Sequence, residues 1–401
     1  MNLIFFDTPN QHGDLSPLTL TRPLADLRIG ILKIAEKWKH WFSEYWGYQE
    51  IKISFLTEKY LSKKFPLQYD TDNFYINGGL LPNEEITRQI FQLFHNEVIS
   101  NEKYLLAVRT DKIFDSYEAL IEGIPVLQQI NGEVVVISQL WHIFEQNRSQ
   151  IIADFELITK GRKSQPITDP HTVAYGKDNI FIEEGAVVKA AILDAENAPI
   201  YLGKNSIVEI GCMIRGAFAL CEGASLNFGA KMRGDITIGN FSKFGGEVSN
   251  VVVQGYSNKA HEGYLGNSVI GEWCNMGADT NSSNLKNTFK PVSIWNYRLK
   301  DYVDTEKLFC GTFMGDFVRC GINTMLNTGT VIGVGANIFG ADFPPKFVPD
   351  FAWGGAEGFV KTQLDKLFET ASIMKSRRGQ VLTEEDKAIL THIYAYANFI
   401  A

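Results

Sequence analysis

Residues 201–244 read YLGKNSIVEIGCMIRGAFALCEGASLNFGAKMRGDITIGNFSKF, and this stretch decides the fold. Leu202, Val208, Ile214, Leu220, Leu226, Met232, Ile238 and Phe244 are eight apolar residues, each six positions after the last. A helix repeats about every 3.6 residues, so it cannot hold such a series on one face. Four residues after each of the first seven come Ser206, Cys212, Phe218, Ala224, Ala230, Ile236 and Ser242, most of them small. An unbroken step of six, rich in glycine and with small residues at a second fixed position, is the hexapeptide repeat of a parallel β-helix, in which three hexapeptides close one triangular coil.

The same register returns as Met314, Cys320, Leu326, Ile332 and Ile338, with Val318, Thr324, Thr330 and Ala336 at the small position. Weaker copies stand at Ile182 and Val188, at Ile270-Gly271 and at Met276-Gly277, so the β-helix is expected over 165–345. A coil cannot bury its apolar interior alone, and stacking is what stabilises it. Between Met276 and Met314 the repeat breaks for Asn281-Ser282-Ser283-Asn284-Leu285-Lys286-Asn287 and then Ser293-Ile294-Trp295-Asn296-Tyr297. Segments ejected from a rigid scaffold often carry function. After Pro344-Pro345, Leu364, Leu367, Phe368, Ala371 and Met374 define an amphipathic helix, and Thr383-Glu384-Glu385-Asp386 opens a second. Residues 346–401 are therefore expected to form a helical tail that caps or braces the coils.

Residues 1–160 alternate short apolar runs with helical patterns, the mark of an α/β domain with a largely parallel sheet. The expected strands are Leu3–Phe6, Ile51–Leu56, Phe74–Ile76, Tyr104–Val108 and Val134–Ile137. Leu24, Leu27, Ile31, Ile34 and Trp38 recur at helical spacing after Pro23, and Ile86, Ile90, Phe91 and Phe94 after Pro82. Both prolines suit a first turn.

The whole chain of 401 residues is 45% hydrophobic and 21% charged, a globular composition that excludes collagen-like and disordered classes. Its net charge of -8 gives no overall attraction to nucleic acid or an anionic membrane. No apolar run reaches the ~18 residues of a membrane span, and Met1–Asp7 has no basic start or long apolar stretch, so a cytoplasmic protein is expected. Cys212, Cys221, Cys274, Cys310 and Cys320 form no C-x-x-C pair and read as small buried thiols.

The sharpest local run is Lys259-Ala260-His261-Glu262-Gly263-Tyr264-Leu265-Gly266-Asn267-Ser268-Val269-Ile270-Gly271, continuing through Asn275 to Thr280. It resembles the N-H-x-x-Y-L-G-D-x-x-I-G pattern of the glucosamine-1-phosphate acetyltransferases, the C-terminal halves of bifunctional enzymes making UDP-N-acetylglucosamine. The resemblance implies a left-handed coil, a homotrimer with sites between neighbouring chains, and acetyl-CoA as cosubstrate. It makes His261 the catalytic base, Tyr264 and Asn275 sugar or phosphate contacts, Asn284 a substrate contact near acetyl-CoA, and Arg233 the arginine on the sugar phosphate. A family lysine that also grips the phosphate falls near Gly245, with Lys243 two residues away. The residue types suit the chemistry. An amine attacks a thioester only as the free base, imidazole titrates near neutrality, and an arginine holds phosphate by paired charge-assisted hydrogen bonds.

Leu15-Ser16-Pro17-Leu18-Thr19-Leu20-Thr21-Arg22-Pro23-Leu24 resembles the G-x-G-T-R-L-x-P-L-T-x-x-x-P-K stretch of sugar-1-phosphate nucleotidyltransferases, with a Rossmann-like fold and Mg2+ implied. Asp14 and Leu24 stand where that family has its arginine and lysine, and Gly79, in Asn77-Gly78-Gly79-Leu80-Leu81-Pro82, stands where it has the aspartate that binds Mg2+. Thr19, Arg22 and Arg28 are the nucleotide- or phosphate-binding candidates, and no metal ligand is assigned. The order of a nucleotidyltransferase-like half and a hexapeptide half resembles the divergent sugar nucleotidyltransferases. That implies acetyl transfer to an amino-sugar 1-phosphate joined to nucleotidyl transfer, most simply uridylyl. Nucleotidyl transfer alone, for instance thymidylyl to glucose 1-phosphate, and a non-catalytic scaffold that binds sugar nucleotides are the alternatives. The partners implied are a sugar phosphate, acetyl-CoA and a nucleoside triphosphate, with no nucleic acid or membrane.

Overall fold

In the computed structural model, which describes residues 1–47, 50–124, 128–129 and 134–397, the chain divides into two units. One comprises Met1–Leu15, Thr21–Leu27 and Leu32–Gln139, and the other Ser16–Leu20, Arg28–Ile31 and Leu140–Ala401.

The N-terminal unit holds strands β1 (Asn2–Phe6), β2 (Lys52–Leu56), β3 (Asn73–Asn77), β4 (Glu97–Ser100), β5 (Leu105–Thr110) and β6 (Gln128–Gln129), in the order β2-β1-β3-β5-β4-β6. β1 is buried along its whole length, which is why Leu3-Ile4-Phe5-Phe6 reads as a continuous apolar run rather than an alternating one. The sheet is mixed: β1 runs parallel to β2 and β3, and β4 to β6, but β5 is antiparallel to both β3 and β4. Residues 101–104 join β4 to β5, far too short a link for the crossover that a parallel pair needs. The expected strand Val134–Ile137 is a single bridge, Val136 to Leu80, because its backbone bonds the loop at Gly79 and Leu81 rather than a strand.

The continuous helix expected after Pro23 is broken. A short 3-10 turn, Leu24–Asp26, is followed by irregular chain and then by a helix over Ile34–His40. The cause is competition for backbone donors. The amides of Arg28, Gly30 and Ile31 go to the side chains of Gln254, Asn147 and Asp154, at 2.7, 2.8 and 2.8 Å. Gly30 also takes φ +79, where a side chain would be strained and would collide with Gln150. After Pro82 a helix does form, over Glu84–Phe91, capped by Asn83; Phe94 lies beyond it and is exposed.

The C-terminal unit is a parallel β-helix whose coils present three faces. On the first, Ile192 lies beside Met213, Met213 beside Lys231, Lys231 beside Glu247 and Glu247 beside Tyr264. On the second, Val208, Leu226 and Phe244 stack in register as inward residues. On the third, Leu202, Leu220 and Ile238 do the same. All eight residues of the founding series are buried, each contributing roughly 1.5–3 kcal/mol of gross hydrophobic stabilisation for the larger side chains. The third face turns small residues outward, Ala217 and Ala219, and these pack with Ile151 and Phe155 of a long helix, Leu140–Thr159. Asn281-Ser282, expected to lie in the ejected segment, stays in the coil: Ser282 pairs with Leu326 and its hydroxyl meets that of Thr312 at 2.7 Å. The chain leaves after that, forming a hairpin of Ser293–Asn296 with Asp301–Asp304.

Phe241, Tyr256 and Trp273 sit at successive corners with left-handed φ of 57, 53 and 61°, and their rings stack at 5.4 and 4.3 Å. Helices Leu364–Ser376 and Glu384–Tyr396 form the tail, the second opened by the capping box of Thr383 and Asp386. Lys375 pairs with Asp386 and lies 5.5 Å over the Trp273 ring, which ties the tail to the aromatic stack. The five cysteines are buried and unbridged, and burial pushes the Cys320 thiol up to about 12.

Candidate functional site

Strand Asn258–Lys259 belongs to the second face and strand Tyr264–Glu272 begins on the first, so the turn 260–263 rounds an edge of the prism. His261 stands exposed on that edge. The turn fits because Gly263 takes φ +122 with no side chain; a Cβ there would lie 2.2 Å from the Thr280 carbonyl of the next coil.

On the first face the register brings Arg233, Glu247 and Tyr264 together. Arg233 Nη1 donates to Glu247 Oε1 at 2.8 Å, and Glu247 neighbours Tyr264 across the strands. The ejected segment then adds Asn284, whose Nδ2 donates to the Tyr264 hydroxyl at 3.0 Å and to Asn267 Oδ1 at 2.7 Å. Tyr264 is held further by its own amide, which donates to Asn281 Oδ1 at 2.7 Å. Burial raises the Tyr264 phenol above its ordinary value, against the opposing pull of Arg233 and the Asn284 bond. Lys231 pairs with Glu262 at 3.1 Å, one residue beyond His261. A cavity of about 580 Å³ opens on this face, lined by Lys231, Arg233 and Glu247 at one end and Tyr175, Ile192 and Met213 at the other.

The structure thus brings Arg233, Tyr264 and Asn284 together beside the edge that carries His261, by the Arg233–Glu247 bond, the strand register of Glu247 with Tyr264, and the Asn284–Tyr264 bond. Asn275 lies around that edge, on the second face, where its Oδ1 accepts from Asn258 Nδ2 at 2.9 Å. Glu247, Asn267 and Asn281 were not legible as site residues, since only the register and the path of the ejected segment bring them near. Lys259 was passed over too, although the sequence carries a signal for it: it interrupts the apolar count between Val253 and Leu265.

The N-terminal candidates are divided between the two units. Thr19 and Arg28 group with the β-helix unit and Arg22 with the sheet. Thr19 is buried, its hydroxyl 3.2 Å from that of Ser16. Arg28 is buried, with its guanidinium on the carbonyls of Ile31 and Gln254. Arg22 is buried within 3.8 Å of Asp26. At the C-terminal ends of β1, β2 and β3, where α/β folds place ligands, Asp7 accepts from the Leu24 amide at 3.0 Å and the Thr57 hydroxyl at 2.6 Å, with His12 at 3.3 Å. Gln11 and Asn77 exchange amide bonds at 3.1 and 3.2 Å, and a Cβ on Gly79 would meet the Ile137 carbonyl at 2.4 Å. Among the described residues no group of three or more His, Cys, Asp or Glu could hold a metal. At the position of the family's metal-binding aspartate stands Gly79, which brings no donor side chain, and no step is routed through a resident Mg2+.

Residues 3–163 match the family model described as sugar nucleotidyl transferase. The bifunctional protein GlmU of Methanocaldococcus jannaschii is 35% identical over 96 residues, 24% of this chain and 22% of that protein. A bifunctional sugar-1-phosphate nucleotidylyltransferase/acetyltransferase of Sulfurisphaera tokodaii is 37% identical over 93 residues, 23% of each. GlmU of Wigglesworthia glossinidia brevipalpis is 27% identical over 186 residues, 42% of this chain and 35% of that one. Among solved structures, the polySia specific acetyltransferase NeuO superposes with a TM-score of 0.30 and 17% identity, over 53% of this chain and 95% of that one. The chain thus joins an α/β segment similar to the sugar nucleotidyl transferases to a parallel β-helix of hexapeptide repeats. The likeness is partial: the chain spans between 22% and 35% of the length of these curated relatives. Among the described residues no helix is long and apolar enough to cross a membrane.

Proposed function

We propose that the β-helix transfers an acetyl group from acetyl-CoA to the amine of an amino-sugar 1-phosphate such as glucosamine 1-phosphate. The observation that carries this reading is the run Arg233–Glu247–Tyr264–Asn284 beside the exposed His261. Arg233 takes the phosphate, Tyr264 and Asn284 the sugar, and His261 the amine proton. The amine nitrogen attacks the thioester carbonyl carbon, a C–N bond forms, and the C–S bond breaks from the tetrahedral intermediate. The proton passes to the imidazole and then to the departing thiolate. Fixing phosphate and amine together makes the attack effectively intramolecular.

Asn275 faces away from Tyr264 within one chain. A homotrimer that sets the second face of one protomer against the first face of its neighbour gives Asn275 a role in the same cleft. The setting proposed is the cytoplasm, where acetyl-CoA and nucleoside triphosphates are at hand.

For the N-terminal unit the matching reading is nucleotidyl transfer from a nucleoside triphosphate, most simply UTP, to the acetylated sugar phosphate, with Mg2+ arriving on the triphosphate. The filled strand ends around Asp7, Asn77 and Gly79 favour a second reading, in which this unit binds the sugar nucleotide as a scaffold without turning it over.

One assay tests all of this. Acetyl-CoA with glucosamine 1-phosphate, then UTP or dTTP with Mg2+, are supplied to the wild type and to His261→Ala. Thiol release that disappears in His261→Ala supports acetyl transfer. Pyrophosphate without thiol supports nucleotidyl transfer alone, and neither product supports the scaffold.

A further inference from the structure

The inward column Val208, Leu226 and Phe244 continues, one coil on, with a lysine. Lys259 stands six residues after Val253 and six before Leu265, and it pairs in register with Phe244. The coils before and after fill this interior position with Phe244 and Met276, both members of the buried core. Lys259 is 1% exposed. Its ammonium donates to the carbonyl of Gly245 at 3.2 Å and to the carbonyl of His261 at 3.1 Å. Gly246 makes the room: a Cβ there would lie 2.9 Å from Lys259 Nζ.

An ammonium withdrawn from water onto two carbonyls, with no carboxylate bonded to it, is a costly way to fill a hydrophobic column. An apolar side chain of similar volume would serve the fold as well or better. What the lysine does that methionine cannot is grip two turns at once, the one bearing His261 and the one below it. We propose that Lys259 is a positioning residue for acetyl transfer, holding turn 260–263, and with it the His261 imidazole, to the neighbouring coil through one buried ammonium. The inference rests on the reading of His261 as the base.

The charge state of the group sets when the clamp works. Burial lowers the Lys259 ammonium to about 8, while Glu262 and Asp279 hold it up and Lys231 pushes it down. A neutral amine forms weaker bonds to the same carbonyls than a charged one. Turnover of the wild type should therefore fall as pH rises past about 8, with little change in KM.

The test is the pH profile of kcat for wild type and Lys259→Met, with thermal melts of both. Lys259→Met is expected to melt at or above the wild-type temperature, to lose ~10-fold or more in kcat at neutral pH, and to lack the alkaline limb. A Lys259→Met enzyme with wild-type kcat overturns the proposal and leaves the His261 reading standing. A wild type whose kcat stays level into the strongly alkaline range also overturns it, and this arm decides alone if the variant does not fold. A wild type with no His261-dependent transfer overturns that reading and this inference with it.

Discussion

Asn284 Nδ2 sits 3.0 Å from the Tyr264 hydroxyl, so a residue of the segment that leaves the coil returns to brace a residue of the coil itself. The same amide reaches Asn267 Oδ1 at 2.7 Å, which fixes its orientation. One hydrogen bond shared by two proposed substrate contacts has a measurable signature. Asn284→Ala and Tyr264→Phe should each raise KM for the sugar phosphate by roughly 10-fold, and the double variant should cost less than the product of the two, because the second change removes a bond already lost. Steady-state kinetics on the two singles and the double closes the cycle. Fully multiplicative losses would mean that the two residues act independently.

Arg233 pairs with Glu247 while largely exposed, an arrangement that adds little to stability. Its proposed task is the phosphate. Arg233→Ala should leave the melting temperature within about 1 °C of wild type while raising KM for the sugar 1-phosphate by about 10- to 100-fold. KM for acetyl-CoA should not move. Arg233→Lys keeps the charge but not the paired geometry and should recover only part of the loss. Equal effects on both substrates would place Arg233 outside the phosphate subsite.

The β-helix was legible because a triangular cross-section forces one inward residue every sixth position, and the count from Leu202 to Phe244 has no other reading. The tail helices announced themselves through local signals, above all the capping box at Thr383. The helix after Pro23 failed for a non-local reason. Its apolar spacing is real, yet Asn147, Asp154 and Gln254, all more than 100 residues away, take the backbone donors that a helix needs. Asn281-Ser282 misread as loop for a related reason: their polar side chains bond the Tyr264 amide and the Thr312 hydroxyl inside the stack, partners invisible to a local pattern. At the site, the spacing of His261 and Tyr264 was readable, but the junction of Arg233, Glu247 and Tyr264 depends on strand register.

The stack of Phe241, Tyr256 and Trp273 ends on Lys375, whose ammonium is also paired with the buried Asp386. Breaking one partner of a buried pair leaves the other charge uncompensated, at a cost of about 3–5 kcal/mol. Asp386→Ala also removes half of the capping box of the last helix. We expect Asp386→Ala to make the tail protease-sensitive while the coils stay protected, and Lys375→Met/Asp386→Leu to restore most of the resistance. Limited proteolysis read by mass spectrometry distinguishes these outcomes. Equal protection in all three proteins would show that the pair does not hold the tail.

Asp350 gives the β-helix a pH dependence of predictable sign. It is buried, and its Oδ1 accepts from the Val334 amide at 2.7 Å and from the Tyr297 hydroxyl at 3.1 Å, tying the turn of the ejected hairpin to the coil. Burial raises its carboxyl from 3.8 to about 6, against the opposing pull of those two bonds and of Lys361. The fold therefore favours the protonated acid more than the unfolded chain does. Its contribution to stability is complete below the unfolded value and is lost as pH rises through the folded one. An asparagine keeps the accepting oxygen and carries no charge at any pH. Asp350→Asn should match the wild type near the acid end of this window and melt above it at pH ~8, by about 2–4 °C for each kcal/mol recovered. Thermal unfolding at the two pH values reads the difference. A variant that melts below the wild type at pH ~8 would mean that the ionised carboxylate, rather than the neutral acid, is what the Val334 amide and the Tyr297 hydroxyl are built to hold.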